Sequence, residues 1–351
     1  MNALAENKII SSFRTGLLAH AEIKLYILGI LALLCILLSL SLGAAQNFSP
    51  TALFSVTGFE RDILLDIRLP RVLFAFVAGA GLALTGLIMQ CLFRNPLAEP
   101  FLMGTSAGAM LFAILAIFAA SRLGISMQGT LLGGLGPALF SFIGAAMAFA
   151  LVLRLGRSTG GQVQFVLLAG IAINAMASSA SGVFIFLAND RELRDITFWN
   201  LGSYGGATYP AVVLAALVTL FASAVALSMH RRLDALLLGD TVAFDLGVRV
   251  KQDRRILFAL VVLCQGVLVS LTGMIAFIAL VAPHLARMLI GATHRRLIPA
   301  AILLGAVISL TADICARKLA QPAEIPLGVL TGMMGAPFFL YILMRFKSRS
   351  L

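Results

Sequence analysis

Charge is what this sequence has least of. Only 12% of its 351 residues are Asp, Glu, Lys or Arg, and the acids number 15. A soluble domain usually carries about a quarter of its residues charged to keep its surface wet. With 60% hydrophobic residues and a mean hydropathy of +1.02, the chain reads as an all-α polytopic membrane protein. Catalytic signatures are missing too: there is no GxxxxGK[ST] phosphate loop, no HExxH, and no suggested set of serine, histidine and acid. The chain is therefore expected to be no enzyme and to hydrolyse no ATP itself. Cys35, Cys91, Cys264 and Cys315 lie in or beside apolar runs without paired spacing, which fits packing better than disulfides, and no metal or cofactor site is expected. Ionisable residues inside the apolar runs are few: Asp313, His284 and Arg287. An ion-gradient-driven carrier needs midplane acids or broken-helix carbonyls, so this scarcity weighs against that alternative.

The net charge of +11 does not point to nucleic acid, because the basic residues form short clusters between apolar runs instead of one polar face. Dividing the chain at those clusters gives ten spans: 25–45, 72–93, 101–120, 130–153, 163–188, 209–229, 256–272, 273–291, 297–316 and 326–344. Each approaches the roughly 20 residues that cross a hydrocarbon core of about 30 Å. The run 256–291 would overshoot the bilayer as one helix, at about 1.5 Å per residue, so a break is expected near Gly273. A cytoplasmic segment 1–24, a ten-helix domain 25–345 with a cytoplasmic loop 230–255, and a cytoplasmic tail 346–351 follow.

With both termini inside, the outer segments keep Arg61, Arg68, Arg71, Arg122, Arg191, Arg194, Arg317 and Lys318, and the other eighteen of the 26 Lys and Arg residues lie inside. That bias favours this orientation over its inverse. The first span is too long for a signal-peptide core despite the small residues of SLGAA at 41–45, so an uncleaved helix is expected. Glycines at packing distance, Gly104 and Gly108, Gly129 and Gly133, Gly328 and Gly332, let helices approach closely. LTGLI at 84–88 and LTGMI at 271–275 raise the possibility of an internal repeat at an offset of 187.

Three stretches stand out from the apolar background. In LLLGDTVAFDLGV, 236–248, Asp240 or Thr241 is placed to cap a short helix and Gly247 to end it. Val242, Phe244 and Leu246 are apolar residues on that short element, with no lipid to bury them, so a partner protein is the natural burial site. In CLFRNPLAEPF, 91–101, Pro96 and Pro100 deny helix continuation, which yields either a rigid turn or part of an inner gate. Arg68, Arg71 and Arg317 either snorkel or pair with Asp66 and Glu324, or present a basic outer surface to an acidic partner.

RLPRVLFAFVAGAGLALTGLIMQCLFRNPLAEPFLMGTSAGA, LLAGIAIN, FWNLGSYGGA, LLLGDTVAFDLGV, GMIAFIALVAPHLAR, LTADICAR and AEIPLGVLTGMMGAPFFLYIL, in this order, resemble the FecCD family, the permease subunits of ATP-binding cassette (ABC) importers for iron-siderophores, haem and cobalamin. The resemblance implies a ten-helix permease, similar to the cobalamin importer's, in a bacterial plasma (inner) membrane. It implies a homodimer with a second copy of itself, cytoplasmic ABC ATPase subunits, an extracytoplasmic substrate-binding protein, and an iron chelate as cargo, first a ferric siderophore, with haem or cobalamin as alternatives. Matched position by position, Gly239, Asp240, Thr241, Val242, Phe244, Leu246 and Gly247 fall in the ATPase-coupling element. Asn95 and Leu97 match the inner gate, Arg68, Arg71 and Arg317 match the arginines that dock the binding protein, and a second gate element would lie at 162–164.

Overall fold

The computed structural model describes residues 2–43, 59–124, 131–158 and 163–347. Every regular element among them is helical: α1 (Asn2–Ser41), α2 (Leu69–Leu92), α3 (Thr105–Arg122), α4 (Leu131–Ser158), α5 (Val163–Leu187), α6 (Asp190–Leu201), α7 (Tyr209–Ser228), α8 (His230–Leu237), α9 (Asp240–Asp245), α10 (Val250–Thr272), α11 (Ile278–Ile290), α12 (His294–Lys318) and α13 (Leu327–Lys347). A short turn, Phe59–Asp62, and a π-helical turn, Ile63–Arg68, lead into α2, and a 3-10 turn, Pro100–Met103, leads into α3. Among the described residues, eight helical segments are long and apolar enough to cross a membrane, and two shorter apolar ones, Ile278–Ile290 and Leu327–Leu340, bring the apolar segments to the ten expected from the sequence.

Burial separates the lipid-facing helices from the central one. On α1, Leu28, Ala32, Cys35 and Ser39 form a buried stripe at helical spacing, while Ile27, Ile30, Leu34 and Leu38 on the other side are exposed. In contrast, 83% of the apolar window of α2 is buried, and α1, α7, α10, α11 and α12 all pack against it. A helix apolar all round belongs at the centre of a bundle.

Glycine and proline make that centre tight. Gly79 on α2 and Gly305 on α12 meet backbone to backbone, since a Cβ on either would fall against the other's carbonyl oxygen; Gly108 on α3 and Gly144 on α4 do the same. Pro283 inside α11 lacks an N–H, so the carbonyl four residues back, Ala279, loses its helical partner. Gly86 of α2 lies against that carbonyl, where a Cβ would collide with it.

The expected break is real: α10 ends at Thr272 and α11 begins at Ile278, with Gly273 in the left-handed region at φ 72°. At 13 residues, α11 is about 20 Å long, short of a core of about 30 Å, so an irregular backbone at membrane depth has to find its partners within protein. Ser203 N–H donates to Thr272 O at 2.9 Å, Leu327 N–H donates to Gly202 O at 3.1 Å, and Gly328 sits against the carbonyls of Leu201 and Met274.

Three expectations change. Of the glycine pairs, Gly108 and Gly328 are at close contacts, Gly104 instead makes a left-handed turn at φ 78°, Gly332 has open space, and Gly129 and Gly133 lie outside the described residues or side chains. The offset of 187 equates the middle of α2 with the end and break of α10, so those two pentapeptides do not mark equivalent positions. The sequence reading also missed α6, although its start is legible: Asn189 accepts from the N–H groups of Arg191 and Glu192, and Glu192 accepts in return from Asn189 N–H at 2.9 Å, a capping box.

Because the Gly86 contact has backbone on its far side, Gly86→Ala should destabilise the fold by about 1–3 kcal/mol. A lowered unfolding midpoint in detergent is the expected result, with Gly29→Ala, which meets open space on α1, unchanged as the control.

Candidate coupling and gating site

At one end of the bundle, α8, α9 and the start of α10 form a compact cap joined to the end of α2. The turn after α9 is built as the sequence suggests. Gly247 takes φ 80°, its N–H donates to Phe244 O, and Val248 N–H donates to Ala243 O, each at 2.9 Å, a Schellman closure. The start is not. The N-cap is Gly239, at φ 111°, with no side-chain cap bond, and neither Asp240 nor Thr241 serves as the cap. The Asp240 carboxylate is instead drawn to two guanidinium groups, Arg94 at 2.9 Å and Arg254 at 2.8 Å.

The face of α9 and its flanks is apolar and uncovered. Ala243 is fully buried against the bundle, while Val242 (43% exposed), Phe244 (73%) and Leu246 (62%) point away from it, as does Leu238. Beside them lies a cleft of about 680 Å³ lined by Arg231, Arg232, Leu246, Arg249 and Asp253. Two of its lining residues, Arg232 and Asp253, form an ion pair at 2.8 Å. The cap is tied to α12 through Asp234, which accepts from the backbone N–H of His294 at 2.9 Å and contacts its ring Nδ1 at 2.7 Å.

The end of α2 repeats the same closure with an arginine in the special position. Arg94 adopts the left-handed conformation, φ 49°, its N–H donates to Cys91 O, and Asn95 N–H donates to Gln90 O, each at 3.1 Å. Asn95 Oδ1 then accepts from Leu97 N–H at 2.9 Å, an Asx turn that fixes the chain ahead of Pro96 and Pro100. Arg94, Asn95 and Pro96 line a cleft of about 370 Å³ with Gln90, Leu237, His284 and Arg287. Thus the structure brings the expected gate residue Asn95 beside the expected coupling element, with Leu97 in the same turn. Arg94 and Arg254, which make the connection, were missed by sequence reasoning. Residues 162–164 lie outside what is described in full.

At the opposite end, Arg68, Arg71 and Arg317 converge on one buried carboxylate and on the end of α1. Arg71 Nε donates to Asp313 Oδ1 at 2.9 Å, and its two terminal nitrogens clasp Glu324, each at 2.9 Å. Arg317 pairs with Asp313 at 3.0 Å and donates to Ser39 Oγ at 2.7 Å and to Leu42 O. Arg68 donates to Leu40 O at 3.0 Å and Ser41 O at 3.3 Å. Arg68 and Arg317 are 7% and 4% exposed and turn inward, because the last carbonyls of α1 have no helical donors and accept from them. Of the pairings considered, Arg71 with Glu324 is present. The four cysteines are separate thiols, and Cys91 donates to Leu233 O.

Asp313 is fully buried between two guanidinium groups, and removing one partner from a buried ion pair costs about 3–5 kcal/mol. Asp313→Ala should lower the unfolding midpoint accordingly and speed hydrogen exchange at the end of α1 near Leu40. A midpoint equal to that of the unaltered chain would remove Asp313 as the anchor.

The comparisons with known proteins agree with this architecture. The chain is 41% identical over 321 residues to the hemin transport system permease protein HmuU of Yersinia pestis, covering 89% of this chain and 94% of the relative. It is 37% identical over 337 residues to the vitamin B12 import system permease protein BtuC of Vibrio vulnificus, covering 94% and 97%. Among solved structures, a metal-chelate type ABC transporter in an inward-facing conformation superposes with a TM-score of 0.79 at 29% identity, over 92% of this chain and 99% of that one. The model of the FecCD transport family matches residues 31–345, and this chain belongs to that family.

Proposed function

We propose that this chain is the membrane-spanning permease subunit of an ABC importer, located in a bacterial plasma membrane with both termini in the cytoplasm, and that it forms the path for an iron chelate. The observation that carries the reading is α9, a short helix anchored through Ala243 and Asp240 that offers Val242, Phe244 and Leu246 to a partner. A cytoplasmic ABC ATPase is the partner that fits. Gly239 and Gly247 set the backbone at either side of the helix, and Thr241 lies on its exposed surface. ATP binding and hydrolysis in that partner shift α9, and the turn at Asn95 and Leu97 opens or closes the inner mouth, so transport proceeds by alternating access with differential contacts in two states.

On this reading residues 1–24 and 346–351 are cytoplasmic, 25–345 form the permease domain and 230–255 the coupling loop. The outer end receives an extracytoplasmic substrate-binding protein. There, Arg71 with the 37% exposed side chain of Glu324 is the charged feature met at the surface, Arg317 shares Asp313 with Arg71, and Arg68 holds the adjoining end of α1. A second copy packs along α13, whose exposed Met333, Met334 and Leu340 supply an adaptable apolar face. A ferric siderophore is the first cargo of the proposal. Haem is the second reading, favoured by the 41% identity to a hemin permease, and cobalamin follows from the 37% identity to BtuC.

The test is uptake into proteoliposomes holding this chain and its cognate ATPase, with the binding protein outside and ATP inside. Labelled ferric siderophores, haem and cobalamin make up the panel. ATP-dependent accumulation of one of them is the expected outcome; accumulation that ignores ATP and follows an imposed ion gradient rejects the proposal. Burying a charge at a well-packed anchor costs about 2 kcal/mol or more, so Phe244→Asp should lower ATPase co-purification at least severalfold, and undiminished recovery would remove α9 from the interface.

A further inference from the structure

The segment between α2 and the 3-10 turn, residues 93–99, is tied to distant elements near both of its ends through its own side chains, Arg94 and Glu99. At the first end Arg94 bonds Asp240, the opening residue of α9, across 146 positions of sequence. That carboxylate is held a second time by Arg254 of α10, through two hydrogen bonds of 2.8 and 2.9 Å. Gly239 leaves room for the approach, since a Cβ there would sit 3.3 Å from Arg94 Nη1. At the other end Glu99 Oε1 accepts from the backbone N–H of Phe277 at 3.2 Å.

Phe277 is itself unusual. It is the N-cap of α11, in the left-handed conformation at φ 67°, which bulky residues rarely adopt. Its N–H cannot be paired inside α11, so the Glu99 carboxylate satisfies a donor that would otherwise be stranded at the helix break. Its ring lies where a Cβ of Gly335 on α13 would be. One continuous set of contacts therefore runs from α9 through Arg94, the Asn95 turn, Glu99 and Phe277 to α13. Between its two anchors the segment is stiff, because Pro96 fixes φ and the Asn95 side chain closes the turn.

We propose that residues 94–99 act as a strut that relays movement of α9 to the α10–α11 break and to α13, with Arg94 and Glu99 as the positioning residues at its two ends. The proposal rests on the reading that α9 seats on an ATPase. Energetic coupling requires an element that both sites bias, and here it is the start of α11, held in a strained conformation by the strut on one side and by α13 on the other. Neither Arg94 nor Glu99 need touch the cargo.

The experiment uses the full chain in complex with its ATPase, in proteoliposomes, and reads ligand accumulated per ATP hydrolysed alongside ATPase recovery. Arg94→Gly removes the guanidinium while keeping a residue that favours the left-handed turn. Glu99→Leu removes the acceptor, and Glu99→Gln keeps an oxygen for Phe277 N–H. Since a hydrogen bond to a charged group is worth about a tenfold change in an equilibrium, accumulation per ATP should fall about tenfold in Arg94→Gly and in Glu99→Leu, with ATPase recovery unchanged. The double variant should be no worse than either single, because both cut the same strut, and Glu99→Gln should restore most of the loss. Wild-type accumulation per ATP in either single variant, additive losses in the double, or Glu99→Gln no better than Glu99→Leu would each overturn the strut while leaving the importer reading intact. Failure of the unaltered chain to recover any ATPase would overturn the importer reading and the strut with it.

Discussion

The close approach of α2 to α11 and α12, backbone against backbone at Gly86 and Gly79, is the contact on which the rest of the arrangement depends. Lipid tails are as apolar as leucine, so helices in a bilayer gain little by hiding apolar surface from it and associate through close packing and hydrogen bonds. Glycine lets two helices share that contact at backbone distance. The free carbonyl that Pro283 leaves on Ala279 is then covered by Gly86 of a neighbouring helix. Because α2 is held on nearly all sides, its two ends are fixed points: Arg71 at the first meets Asp313, and Arg94 at the last meets Asp240.

Polar groups within this bundle follow from the cost of leaving them unpaired in a dry environment. Where a helix stops inside the protein, a side chain from another element completes it. Arg68 and Arg317 take the last carbonyls of α1, and Glu99 takes the first N–H of α11. The irregular stretch 273–277 is tolerated because Gly202, Ser203 and Gly328 are packed against it. The same devices that satisfy the backbone also join distant elements, as Arg94 joins the end of α2 to α9 and Glu99 joins the following segment to the start of α11. The apolar residues of α9 are the exception: Val242, Phe244 and Leu246 stay exposed at the end of the bundle.

Much of the architecture was legible in the chain. Composition gave the class, spacing between polar clusters gave the ten apolar segments, and the excessive length of 256–291 gave the break at Gly273. These features depend on neighbours in sequence or on bulk hydropathy, which one strand of text records. Gly247 was readable as a helix stop for the same reason. The capping box at Asn189 and Glu192 was equally local and went unread because α6 interrupts an apolar pattern with a short polar helix.

By itself, then, the sequence determined what each segment is: how long, how apolar, where it must stop, and which short element is left without lipid or core to cover it. It could not determine where a charged side chain goes, since that depends on partners far away along the chain. Asp240 reads as a cap because its own helix is adjacent, yet Arg94 outcompetes the backbone from 146 residues away. Arg68 and Arg317 read as surface arginines, yet the carbonyls that bind them belong to α1, 28 and 278 residues distant. Only the tertiary structure decided these pairings, because a long charged side chain in a membrane protein goes wherever an unsatisfied group of opposite polarity is brought within reach.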